Sequence, residues 1–118
     1  MENLMLELEH SDYHPLTREH LNLYVPSRPG VYMLAVRLAN GVHRTFFTSQ
    51  SENLYKSLHS IFHGDASTLS PVIVEHKERF QCYFTYCVIV EEIYRNEVEK
   101  MLNQTIDPVL KLKFISSN

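Results

Sequence analysis

The stretch Gly30-Val31-Tyr32-Met33-Leu34-Ala35-Val36-Arg37-Leu38-Ala39-Asn40-Gly41-Val42-His43-Arg44-Thr45-Phe46-Phe47-Thr48 decides the fold. Val31 to Leu38 reads as a strand that is apolar on both faces, with Tyr32, Leu34, Val36 and Leu38 on one and Val31, Met33 and Ala35 on the other. A strand that offers water neither face belongs in the middle of a sheet. Asn40-Gly41 is the strongest short hairpin signal, because both residues accept the positive φ of a type I′ turn. Val42 to Thr48 is then the returning strand. A two-residue turn sets Ala39 opposite Val42, which places Leu34 across from Phe47 and Tyr32 across from Ser49. Tyr32 and Phe47 become diagonal neighbours on one face. Arg37 meets Arg44, a like-charge pair that needs water or an anion.

Upstream, Pro15 followed by Thr17-Arg18-Glu19-His20-Leu21-Asn22-Leu23-Tyr24 predicts a short helix with Leu16, Leu21 and Tyr24 turned inward. Val25-Pro26-Ser27-Arg28-Pro29-Gly30 breaks the chain, with Gly30 available for a turn. Downstream, Ser49-Gln50-Ser51-Glu52 has the form of a capping box. The helix it opens carries Leu54, Leu58, Ile61 and Phe62 on one stripe, and Gly64 is placed to end it. Ser70-Pro71 predicts another short helix through Val74 to Lys77. Gln81 to Val90, rich in β-branched and aromatic residues, is a third strand. Arg95 to Gln104 reads as a helix with Tyr94, Val98, Met101 and Leu102 inward. Asp107-Pro108 ends it and leaves a tail in which Leu110, Leu112 and Phe114 alternate. The implied architecture is α+β: a three-stranded, mainly antiparallel sheet with its first strand central and helices 51–62 and 95–104 packed on it.

The 118 residues make a single domain, 1–118, with residues 1–25 as an N-terminal extension, large enough to bury a core without disulfides or a metal. Apolar residues at 44% and charged residues at 21% exclude a disordered tail, a collagen-like repeat and a coiled-coil rod. Fourteen acids against eleven bases give a formal charge of −3. A nonspecific nucleic-acid binder draws its affinity from a strongly basic field, which this chain lacks. Cys82 and Cys87, five residues apart, fall on opposite faces of one strand and cannot bridge each other. Two thiols without metal-ligand spacing fit a reducing compartment. The segment from Met1 to Glu7 is acidic, with no positively charged region before an apolar run, and no apolar stretch is long enough to span a membrane. The expectation is a cytoplasmic protein that does not enter membranes.

Among single residues, Tyr32 has two readings: a hydroxyl that contacts an anion or water, or a half-buried core aromatic with a wet hydroxyl. His59 and His63, at i and i+4, project from one helix face as metal ligands would, but Ser60 stands where a zinc-protease motif has glutamate. Histidines at a helix C-terminus also suit its dipole. Arg28, Arg37, Arg44 and Lys56 lie around the hairpin, either as a basic patch or as a solvated face. Tyr83 and Tyr86 read as core aromatics before a stacking platform.

Pro29-Gly30-Val31-Tyr32-Met33-Leu34, the hairpin, and then Phe47-Thr48-Ser49-Gln50-Ser51-Glu52-Asn53-Leu54-Tyr55-Lys56-Ser57-Leu58 with Phe62 resemble the GIY-YIG nuclease domain. That family includes the incision module of bacterial nucleotide-excision repair and several homing endonucleases. Gly30-Val31-Tyr32 stands for the first motif, with Val for Ile. Ser51, Asn53 and Leu54, and the ending Phe62-x-Gly64, agree with the helix after the second motif. The resemblance implies a metal-dependent endonuclease using an activated water, a metal on the phosphate and a cation facing the developing charge.

The departures fall on that chemistry. The second motif, Tyr-Ile-Gly, aligns with Phe47-Thr48-Ser49, and the catalytic arginine's position holds Ser57. The metal-binding glutamate matches Glu99, with Leu102 and Pro108 after it at about the family's spacing; a shifted register puts Gln104 there. Tyr32 and Glu99 are thus vestigial catalytic positions, with Glu99 the metal position. The expected function is a degenerate, non-catalytic GIY-YIG-like binding or interaction module without a cofactor. The alternative is a divergent magnesium-dependent DNA endonuclease of this type. A nucleic-acid ligand would use Arg28, Arg44 and Lys56; the charge of −3 tilts the expectation toward a protein partner.

Overall fold

The computed structural model describes residues 11–63 and 82–114. In chain order the elements are β1 (His14–Pro15), α1 (Arg18–Tyr24), β2 (Gly30–Arg37), β3 (His43–Ser51), α2 (Leu54–His63), β4 (Cys82–Val88), α3 (Glu92–Asn103) and α4 (Pro108–Phe114). The class is α+β, with a four-stranded antiparallel sheet in the order β1-β4-β2-β3. Three strands were expected. The fourth is the two-residue β1, whose ladder is extended by Ser11 N–H to the Tyr86 carbonyl and Leu16 N–H to the Cys82 carbonyl. A proline strand lacks a donor and belongs at an edge, which is where β1 lies.

β2 occupies the interior of the sheet, as its two apolar faces require. Tyr32, Leu34 and Val36 pack with Leu16, Leu21 and Val25 from the α1 region, with Leu54, Leu58 and Ile61 of α2, and with Phe46 and Phe84. On the other face Val31, Met33 and Cys87 pack against Val98 and Leu102 of α3. Each fully buried leucine contributes about 1.5–3 kcal/mol relative to exposure. Residues 11–25, expected as an extension, thus supply a strand, a helix and three core side chains. Cys82 and Cys87 are buried free thiols on opposite faces.

The hairpin corrects the expected turn. Leu38 N–H donates to the Val42 carbonyl at 2.8 Å and Gly41 N–H to the Leu38 carbonyl at 2.9 Å, so the loop has three residues, Ala39 to Gly41. Gly41 takes a positive φ, 85°. This is the turn-plus-left-handed-residue geometry of three-residue hairpins, an alternative that Asn-Gly serves equally well. Ala39 therefore does not face Val42, and Arg37 pairs with His43 while Arg44 faces Val36. The like-charge pair is avoided. A β-bulge between Leu34 and Ala35 absorbs the extra residue, and beyond it Leu34 faces Phe47 and Tyr32 faces Ser49 as expected. Phe46, at the bulge, is fully buried in the Tyr32 face's cluster.

Helix starts also shift. β3 stays in its ladder through Ser51, so no capping box forms at Ser49; Asn53 Oδ1 instead accepts the Lys56 N–H at 3.1 Å and caps α2. Helix α3 begins at Glu92, with Arg95 buried and Tyr94 turned out. Asp107-Pro108 opens α4 and replaces the expected alternating tail: Asp107 Oδ1 accepts from Val109 and Leu110 N–H. Gly30 serves close approach and makes no turn, since a Cβ there would collide with the Cys87 carbonyl and with Leu54. The Gly64 stop, the Ser70-Pro71 helix and Gln81 lie outside the described residues.

Candidate functional site

Tyr32 sits mid-β2, directly across from Ser49 of β3 and Tyr86 of β4. It is buried, and its ring lies 6.1 Å from Phe47, tilted by 44°. Burial pushes the phenol up to about 12, the Glu99 carboxylate pushes in the same direction, and the Ser49 hydroxyl works against them. At neutral pH the phenol keeps its proton, so it is a hydrogen-bond donor and a poor base.

Glu99 reaches this region because α3 runs beside β3. Its Oε2 accepts the Gln50 backbone N–H at 2.9 Å, filling a position where an edge strand has no neighbouring strand. One turn earlier, Arg95 Nε donates to Gln50 Oε1 at 3.2 Å, and its Nη1 donates to the Ile89 and Val90 carbonyls at 3.3 and 2.6 Å. Gln50 Nε2 donates to Asn96 Oδ1 at 2.5 Å. Gln50, Arg95, Asn96 and Glu99 therefore form one network that fastens α3 to the sheet edge. Arg95, Gln50 and Asn96 were not singled out in the sequence. The available signal was the i, i+4 spacing of Arg95 and Glu99, which puts both on one helix face.

The remaining family positions are held internally. Ser57 Oγ lies 2.6 Å from Ser51 Oγ in a hydroxyl–hydroxyl bond. Phe47 is half-buried against the core. Gln104 is exposed at the end of α3, its N–H directed to the Met101 carbonyl, whereas Glu99, the other glutamate-position candidate, is held at the Gln50 amide.

The three cations do not form one patch. Arg28 and Lys56 are exposed near the same end of the sheet, since the Arg28 carbonyl accepts the Leu54 N–H and Gly30 pairs with Ser51. Arg44 lies toward the other end of β3, a distance of roughly 20 Å at about 3.3 Å per residue. There it faces Asp107 at 3.8 Å and lines a cleft of about 480 Å³ with His43, Thr45, Thr105 and Ile106. Next to that cleft His43 stacks on Tyr13 at 4.3 Å and meets Tyr83 edge-on at 4.7 Å. Burial, with Arg37 nearby, lowers the His43 pKa. Tyr86 is placed differently, donating its hydroxyl to the Tyr24 carbonyl at 2.6 Å, so Tyr83 and Tyr86 share no platform.

The His59 and His63 rings are 5.1 Å apart, and His59 Nε2 lies 3.3 Å from Asn22 Oδ1. Among the described residues no group of three His, Cys, Asp or Glu side chains comes together to hold a metal ion. At Glu99 a magnesium ion would meet a carboxylate with one oxygen already accepting an amide. It would have to draw most of its ligands from water and phosphate.

No protein-family model, curated protein or solved structure matches the chain. Among the described residues no helix is long and apolar enough to cross a membrane.

Proposed function

We propose that this chain is a degenerate GIY-YIG-like domain that acts by binding a protein partner and does not cleave phosphodiesters. The observation that carries the reading is the state of the groups at the positions that match the family's catalytic residues. The phenol is held protonated, Ser57 offers a hydroxyl bonded to Ser51 in place of a cation, and Glu99 is engaged by the Gln50 amide. Hydrolysis of this type needs a base for water, a metal and a cation on the developing charge, and losing one such group removes orders of magnitude in rate. The succession of hairpin, helix, strand and helix and the close approach at Gly30 support a retained scaffold. The separation of Arg44 from Arg28 and Lys56 weighs against a nucleic-acid groove. Two buried free thiols support a reducing, cytoplasmic setting.

One observation favours the nuclease alternative: the Glu99 carboxylate acts electrostatically on the Tyr32 phenol, although Tyr32 packs on the α2 side of the sheet and Val98 and Leu102 of the Glu99 helix on the other. Incubation with magnesium and branched, nicked and single-stranded DNA decides between them. The proposal expects no product above a no-protein control, and only weak DNA binding at physiological salt. Turnover abolished by Glu99→Ala would overturn it. DNA affinity that falls steeply with salt and is lost in Arg44→Glu would replace the protein partner with a nucleic acid.

A further inference from the structure

Helix α3 carries apolar side chains on two sides. Val98 and Leu102 face the sheet, whereas Ile93 and Tyr94, and Val90 just before the helix, are 78%, 61% and 60% exposed. Glu97 continues the outward side one turn after Ile93, and half-buried Met101 lies one turn later. Single exposed hydrophobics are ordinary, but three within five residues are a concentration of the kind found at interaction sites. The rim is acidic: Glu91, Glu92 and Glu97 are exposed, and of the bases on α3 Arg95 is buried and Lys100 lies 3.8 Å from Glu97.

We propose that the outward side of α3 docks a basic amphipathic segment of a partner protein. This rests on the binding-module reading and names the surface and partner chemistry that it lacks. Apolar anchors of the segment meet Val90, Ile93 and Tyr94, and its lysines or arginines meet Glu91, Glu92 and Glu97. Charge selects this occupant. A second copy placed on the same face would bring its own glutamates against these, and nucleic acid or an anionic membrane would be repelled. At the sheet edge beside α3, Glu99 already takes the Gln50 amide.

The test titrates the full ¹⁵N-labelled chain with two helical probe peptides of identical apolar spacing, one Lys-rich and one Glu-rich, at physiological salt. The proposal expects the Lys-rich peptide to shift amide resonances of residues 90–101. Ile93→Ser and Tyr94→Ser, both at exposed positions, should each weaken its binding about tenfold or more. The triple variant Glu91→Lys, Glu92→Lys, Glu97→Lys should transfer preference to the Glu-rich peptide. Equal binding of the two peptides, unchanged affinity in Ile93→Ser, or no shifts within 90–101 would overturn it. Shifts confined to another surface would refute this face and leave the binding-module reading intact, whereas magnesium-dependent DNA cleavage would refute that reading whatever the peptides do.

Discussion

Replacing Arg95 by Met tests how α3 is held to the sheet. Arg95 is 4% exposed, and its guanidinium donates to three neutral acceptors, Gln50 Oε1 and the carbonyls of Ile89 and Val90. Hydrogen bonds from a charged donor contribute about 1.5–3 kcal/mol each when their partners stay dry. Two terms reduce the sum. Removing the cation relieves its desolvation, and the Val90 carbonyl belongs to an exposed residue that can regain water. The net cost of Arg95→Met, which keeps the packed stem, is then about 2 kcal/mol. With a urea slope of about 1–1.5 kcal/mol/M, the unfolding midpoint should fall by roughly 1.5 M at unchanged slope. Arg95→Lys should not restore it, since an ammonium cannot span the three acceptors. A double-mutant cycle with Gln50→Ala should give a coupling of about 1 kcal/mol. A cost below about 0.5 kcal/mol for Arg95→Met, or full rescue by Lys, would refute the reasoning.

Gly30→Ala should destabilise by about 3 kcal/mol or more, because its Cβ meets the Cys87 backbone carbonyl, which can move only by parting β2 from β4. Gly41→Ala, at φ 85° where a Cβ would meet only the Arg37 guanidinium at an ordinary 3.8 Å, should cost only about 1 kcal/mol, and Gly41→Asn less; both are read from thermal or urea unfolding, and equal costs at the two glycines would contradict the assignment. Burial pushes the Cys82 thiol up to about 12, so a disulfide exchange reagent at neutral pH should label it only at the rate of unfolding, and prompt labelling of the native chain would contradict that.

The central strand and the pairing of Tyr32 with Ser49 were legible because they rest on side-chain alternation over many residues. The turn was not, since Asn40-Gly41 suits both two- and three-residue loops, and the choice depends on where the Phe46 bulge sits. Ser49 to Ser51 satisfied a capping pattern locally, but cross-strand pairing with Gly30 to Tyr32 kept them extended. Asp107-Pro108 marks a helix start as readily as a stop, and here the bonds that Asp107 Oδ1 accepts from Val109 and Leu110 make it a start. At the candidate site, Tyr32 and Glu99 were singled out only by the expected GIY-YIG resemblance. Gln50 and Arg95 were hidden because their roles arise from α3 lying against β3, a contact between residues far apart in the chain.

The central claim is that Tyr32 is a buried phenol that stays neutral far above physiological pH. Titration of ¹³Cζ-labelled tyrosines by NMR, with Tyr32→Phe assigning the resonance among the seven, measures it directly. The folded phenol, raised to about 12 from an ordinary value of 10, resists ionisation that the unfolded chain accepts. Its stabilisation is therefore complete below pH 10 and is lost as pH rises toward 12, an effect of at most a few kcal/mol. The account predicts that the Tyr32 resonance stays in its protonated position through pH 10.5 or until the chain unfolds. A midpoint at or below pH 10 in the folded chain would contradict it.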